Sequence, residues 1–237
     1  MRDAEIYAAN AAAMLPGLGP TIAAPSGVVA VAASSGTRYL VRERLSSPTI
    51  AGLVDTVASR GPAVVEDPYG VTPVPVGDAT TTVRRMPVMN RPPGPVSGGS
   101  RPGLTVAPVA DADGLAESER VMVEGFPFRR LLPWVAGRAL PPGVLELPGW
   151  RVWLARRDGV PAAAGYTFDD GAAIGVYWLA TLPQHRFVGL GKAVMTAMLA
   201  ANPRRTATLV ATEAAVPLYA GLGFTAVSGA IWYVVNT

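Results

Sequence analysis

The stretch Leu182-Pro-Gln-His-Arg-Phe-Val-Gly-Leu-Gly-Lys-Ala193 constrains this chain more than any other. A continuous apolar run over residues 172–182 leads into it, and an amphipathic helical pattern over 190–200 leads out. An apolar run without alternation predicts a strand covered on both faces. A buried strand that hands a glycine-containing loop to a helix start makes an anion site. The first helical amides lack intrahelical partners, and the helix dipole favours negative charge there. Two common nucleotide loops do not fit. A Walker loop needs Gly where Arg186 stands and Ser or Thr where Ala193 stands. A dinucleotide fingerprint starting at Gly189 needs Gly or Ala at the position of Val194.

Composition removes further classes. The chain has no Cys and a single histidine, His185, so Cys-ligated metals, multi-histidine metal sites and Ser-His-Asp or Cys-His catalysis are all excluded. His185 itself reads as a solvated loop residue beside Arg186. The net charge of +3 rests on arginine, with Lys192 the only lysine. The arginines form separated pairs (84–85, 129–130, 156–157, 204–205) without an aromatic stripe, so they read as solvated surface and not as a nucleic-acid face. No apolar segment approaches the ~20 residues that span a bilayer, and Asp3 and Glu5 interrupt any signal-like start. A soluble, cytoplasmic protein without nucleic-acid or membrane partners is the expectation.

In chain order, a helix over 4–15, strands at 27–33 and 39–44, a helix from Ser47-Pro48, and strands at 63–66 and 81–89 make a small α/β unit over 1–92. Residues 93–102 are Pro- and Gly-rich and read as a linker. Beyond it, 103–237 holds a strand at 104–107 and a helix to about Glu124. A short helix over 129–136 and a hairpin turning at Asp158-Gly159 follow, then the loop unit. A strand at 206–211, a helix over 214–222 ending at Gly223, and strands at 225–227 and 230–235 close the chain.

Two motifs point the same way. Arg186-Phe-Val-Gly189-Leu-Gly191 resembles the acetyl-coenzyme A signature R-x-x-G-x-G/A of the GCN5-related N-acetyltransferase (GNAT) superfamily. Downstream, Pro217-Leu-Tyr219-Ala-Gly-Leu-Gly223-Phe224 resembles that family's Leu-Tyr-x-x-x-Gly-Phe segment. The resemblance covers roughly residues 104–235. It implies a GNAT fold, an α/β mixed sheet with splayed central strands, preceded here by the smaller α/β unit. It further implies acetyl-coenzyme A as the acyl donor, no metal, and direct transfer to a primary amine of a small molecule or a protein. The loop Arg186, Phe187, Val188, Gly189, Leu190, Gly191 and Lys192 would cradle the pyrophosphate. Backbone groups of Leu179, Ala180 and Thr181 would meet pantetheine and thioester, and Tyr219 would protonate the leaving thiolate.

The base is open at this stage. The strand 172–179 carries no carboxylate where relatives often place one, which leaves Glu124, Glu213 and a water held by Thr212 as candidates. Phe126, Phe128, Trp134 and Tyr177 are candidates for acceptor specificity. Two readings of the N-terminal unit compete: a degenerate half-acetyltransferase without a cofactor, or a module for a partner or a homodimer. A catalytically silent acyl-coenzyme A-binding protein is the alternative to an enzyme.

Overall fold

The chain opens with helix α1 (Asp3–Met14), which runs into a 3-10 turn at Leu15–Leu18. The structure is a computed structural model and describes residues 3–70, 73–76, 81–96, 102–126 and 129–236. Strands β1 (Thr21–Ile22), β2 (Val28–Ala33) and β3 (Gly36–Val41) come next, then helix α2 (Ser47–Ala58) and strands β4 (Ala63–Asp67) and β5 (Thr81–Arg91). Strand β6 (Leu104–Pro108) and helix α3 (Ala112–Gly125) precede the hairpin β7 (Trp150–Arg157) and β8 (Val160–Asp169). Strand β9 (Ala173–Thr181), helix α4 (Leu190–Ala200), strand β10 (Thr206–Val210), helix α5 (Val216–Ala220) and strand β11 (Thr225–Val235) complete it. Part of the expected linker, residues 97–101, lies outside the described residues.

All eleven strands form one mixed sheet in the order β1-β2-β3-β4-β11-β5-β10-β9-β8-β7-β6. Helix α2 joins the parallel pair β3 and β4, and helix α4 joins the parallel pair β9 and β10. In each case the strand that follows crosses the middle. β5 pairs with β10 rather than β4, and β11 pairs with β4 rather than β10. The antiparallel β5–β11 ladder, from Asn90 opposite Thr225 to Thr81 opposite Val235, is the centre of the sheet. The two halves are thus arranged about a pseudo-two-fold axis, each completed by a strand from the other.

The pleat sorts side chains onto two faces. On one, α2 packs Ile50, Leu53, Val54 and Val57 against Tyr39, Val65, Ile231 and Tyr233. On the same face α4 packs Leu190, Val194, Met195 and Met198 against Ile174, Met89 and Leu209. Each fully buried side chain of this size contributes roughly 1.5–3 kcal/mol. On the other face α1 and α3 cover Tyr166, Tyr177, Val88 and Leu40 with Tyr7, Met14, Val121 and Met122. Asn10 of α1 locks this layer. Its amide donates to the carbonyls of Phe168 (3.2 Å) and Ala173 (3.1 Å), and its oxygen accepts from Tyr177 Oη (2.7 Å). Burial of β9 under α1, α3 and α4 explains its unbroken apolar sequence.

Three local expectations change. The helix expected over 129–136 is a 3-10 turn at Arg129–Leu131 only. Pro133 has no amide to donate and disfavours helical geometry at Leu132. The amides of Gly137, Ala139 and Leu140 turn instead to the buried carboxylate of Glu119. The helix expected over 214–222 is a 3-10 turn at Glu213–Ala215 followed by α5, with Pro217 in its first turn. The two closing strands are one, β11, with a register shift between Ala226 and Ser228. The Asp158-Gly159 turn has positive φ at both residues (51° and 83°), as a two-residue hairpin of this kind requires.

Candidate active site

The opening between β9 and β10 is the first element of the site. The two strands pair from Ala173 opposite Thr206 to Gly175 opposite Thr208 and then separate, although β9 continues to Thr181 and β10 to Val210. On its other edge β9 stays paired to β8, with one extra residue between Tyr177 and Ala180. Trp178 sits in this bulge with φ of 51°, a strained value for a bulky residue. The bulge re-aims Trp178 and Leu179 at the end of the opening.

The second element is the start of α4. A 3-10 turn at Pro183–His185 leads through Phe187 (φ 64°) to Gly189 (φ 86°), which caps the helix in the left-handed conformation. Among the described residues no side chain caps this end. Its amides are therefore left for solvent or a ligand, which is the state an anion-binding helix start requires. A Cβ at Gly191 would come within 3.5 Å of Leu218 Cδ2 and 3.7 Å of Thr181 Oγ1, ordinary contacts, so this glycine keeps the floor of the loop low without being forced. Phe187 and Val188 are exposed, as is Lys192. Arg186 is engaged elsewhere: its Nε donates to Thr181 O at 3.1 Å and an Nη to Gly125 O at 2.9 Å, tying the end of β9 to the end of α3.

The third element is a cavity of about 460 Å³ on the α1/α3 face, within the size range of small-molecule sites. It brings together Tyr219, Thr212, Leu179, Tyr177 and Phe126 from the expected residues. Tyr219 is 7% exposed and packs edge-on against Phe224, and burial pushes its phenol up to about 12. No described residue hydrogen-bonds its hydroxyl. Glu124, Glu213, Trp134 and His185 are not in the wall. Glu124 pairs with Arg120 at 2.8 Å, and the Trp134 indole donates to Glu119. Phe128 lies outside the described residues. The wall also holds Tyr7, Arg38, Glu66, Arg84, Arg130 and Trp232, which the sequence did not single out. Only the unusual Val65-Glu66-Asp67 end of an apolar strand and the arginine pairs hinted at them. A second hollow of about 380 Å³, beside α2 between Leu53, Thr56 and Arg60, lies on the opposite face of the sheet.

These features define a class. Residues 148–226 match the Acetyltransferase (GNAT) domain. A GCN5-related N-acetyltransferase from Kribbella flavida superposes with a TM-score of 0.66 at 20% identity, covering 100% of this chain and 97% of that one. A putative GNAT-family acetyltransferase from Novosphingobium aromaticivorans superposes at 0.63 with 18% identity over 99% and 97% of the two chains. A GCN5-related N-acetyltransferase-like protein from Streptococcus suis gives 0.58 at 10% identity, over 92% and 88%. The structural likenesses establish the fold across the whole chain, both halves included. Among curated protein sequences, none matches. Residues 148–226 thus match a GNAT acetyltransferase domain within a chain that has the GNAT fold throughout, and the uncapped loop and the splayed strands lie in the matched part. No helix among the described residues is long and apolar enough to cross a membrane.

Proposed function

We propose that the protein transfers the acetyl group of acetyl-coenzyme A directly to a primary amine. The observation that carries this reading is the coincidence of an uncapped, left-handed start to α4 with the separation of β9 from β10, whose Leu179 end lines the same cavity as Tyr219. The amides of 188–192 would hold the pyrophosphate, with Lys192 adding charge from the exposed side. Leu179, Ala180 and Thr181 present the free edge of β9 to the pantetheine arm. Arg186 acts through the backbone, holding Thr181 in place. Acetyl-coenzyme A supplies an activated acyl carbon. The amine nitrogen bonds to that carbon as the carbon–sulfur bond breaks, giving an amide and free coenzyme A.

Tyr219 is assigned the proton donor to sulfur. A phenol held near 12 is fully protonated at neutral pH. Because the thiolate of a thiol near ~8.5 is the weaker base, Tyr219 shares its proton with the departing sulfur in a hydrogen bond. The proton that coenzyme A finally carries is replaced by the one the amine releases. The amine proton would leave through water at Thr212, which lines the cavity. No role is proposed for Glu124 or Glu213. The test is a coenzyme A release assay over an amine panel, run beside a calorimetric coenzyme A titration. Binding with turnover supports the proposal. Binding without turnover on any amine indicates a silent acyl-coenzyme A-binding protein, and no binding overturns both.

A further inference from the structure

The far end of the cavity carries a charge pattern that the transfer chemistry does not use. Glu66 of β4 stands opposite Trp232 of β11, which stands opposite Arg84 of β5, so the three project from one face of the sheet in a single row. Neighbouring strands lie about 4.8 Å apart, so this row spans about 10 Å between its outer Cα atoms. On its other edge β5 pairs with β10 only as far as Val88 opposite Val210, and beyond that end Thr212, and Tyr219 of α5, line the same cavity.

Glu66 is the only carboxylate in the wall among the described residues, and it is already engaged. Arg38 donates to its Oε2 at 3.0 Å, and Tyr7 Oη donates to its Oε1 at 2.6 Å. Arg38 also lies over the Trp232 ring, 5.3 Å from the centroid. Two further guanidiniums face the cavity. Arg130 spends one nitrogen on Val235 O at 2.7 Å. The Arg84 guanidinium makes no hydrogen bond or ion pair among the described residues. The buried Trp232 indole nitrogen also faces Glu66, outside good hydrogen-bond geometry. Three arginines against one satisfied carboxylate make a wall rich in donors and short of acceptors. Such a wall matches a carboxylate or phosphate and repels a second ammonium.

We propose that the acceptor is a small amine that also carries an anionic group, held by Arg84 and Arg130 beside Trp232 so that its amine reaches the Tyr219 end. This rests on the acetyl-transfer reading above. The test compares kcat/KM within matched pairs: γ-aminobutyrate against its amide, and phosphoethanolamine against ethanolamine. Calorimetric binding of each to the coenzyme A-loaded protein is measured in parallel. The anionic member of at least one pair is expected to be preferred by about tenfold or more, and the pair that shows it distinguishes carboxylate from phosphate. In Arg84→Gln the preference should collapse toward unity. Arg85→Gln, on the opposite face of β5, should keep it. Equal or reversed preference, or no calorimetric binding of either anionic amine, overturns the inference while leaving amine transfer standing. Anion binding that depends on Arg84 with no turnover on any amine sinks the transfer reading and keeps the anion site.

Discussion

The two halves of the sheet carry the same unit, a strand, a helix and a parallel strand, and they differ where the ligand would sit. In the N-terminal half β3 and β4 stay paired from Thr37 opposite Ala63 to Leu40 opposite Glu66, nearly their full length. In the C-terminal half β9 and β10 part after Gly175 and Thr208. Helix α2 begins with Ser46 as a side-chain cap, its hydroxyl accepting from Thr49 N at 3.3 Å, and with Pro48 in the first turn. Helix α4 begins with a left-handed glycine and no cap. One half satisfies its helix start with its own serine and closes its strands. The other leaves both open. On the reading proposed above, the same topology would supply one cofactor site and one scaffold; Arg38, Glu66 and Trp232, from the β3-β4-β11 side of the sheet, line the cavity together with Thr212 and Tyr219.

The strongest way to break this contrast is at Gly189. With φ of 86°, a β-branched side chain would be strained and would also block the approach of an anion to the loop amides. Gly189→Val should lower coenzyme A affinity by roughly a hundredfold or more, about 2.7 kcal/mol, in a calorimetric titration. Unchanged affinity would show that the pyrophosphate is placed wrongly.

Next in size is Tyr219→Phe. Turnover should fall about tenfold to a hundredfold, as loss of a general acid does, with coenzyme A affinity within about twofold. The pH dependence follows from the same group. Its folded value, about 12, lies above the ordinary value for tyrosine, so the folded state holds this proton longer than the unfolded one. Its contribution to stability is intact below about pH 10 and is lost as pH rises toward the folded value. Any falling limb of the rate profile near neutrality must come from another group, and a limb that disappears in Tyr219→Phe below about pH 10 would contradict the assignment.

Arg186→Gln should have a smaller effect. It removes two charge-assisted bonds to the carbonyls of Thr181 and Gly125, which set the spacing between β9 and α3. Each bond of this type is worth roughly 1.5–3 kcal/mol at most, and Arg186 is exposed, so a loss of about fivefold in coenzyme A affinity is expected. A direct salt link between Arg186 and phosphate would instead show as a markedly weaker salt dependence of binding in the variant.

The loop and the tyrosine were legible because each is encoded within a dozen contiguous residues, where glycine and proline report backbone demands directly. The crossing of β5 and β11 was not. Thr81 and Val235 meet although 154 residues apart in sequence (235 − 81), and a ladder of that separation leaves no local pattern in either strand. The cavity wall was hidden for the same reason. Arg84 and Arg130 sit in Arg-Arg pairs that read as surface. The register of Glu66, Trp232 and Arg84 across three strands turns Arg84 toward the cavity, and the bond from Arg130 to Val235 O brings Arg130 there. The missing helix at 129–136 was written in Pro133, but its replacement, a loop folded onto Glu119, depends on a carboxylate from another element.

The smallest predicted effect separates the two differences between the halves. Ser46→Ala removes the side-chain cap of α2 and should cost about 1 kcal/mol, visible as a fall of roughly 2–4 °C in Tm. It frees one amide at a helix start whose topology matches that of α4. If an uncapped start were sufficient for a phosphate site, this variant would gain a second coenzyme A in the titration. No gain is expected. Pro48 has no amide to offer, and the paired β3 and β4 leave no opening for the rest of the ligand. A stoichiometry that stays unchanged, together with the drop in Tm, assigns the difference between the halves to the separation of the strands as much as to the cap.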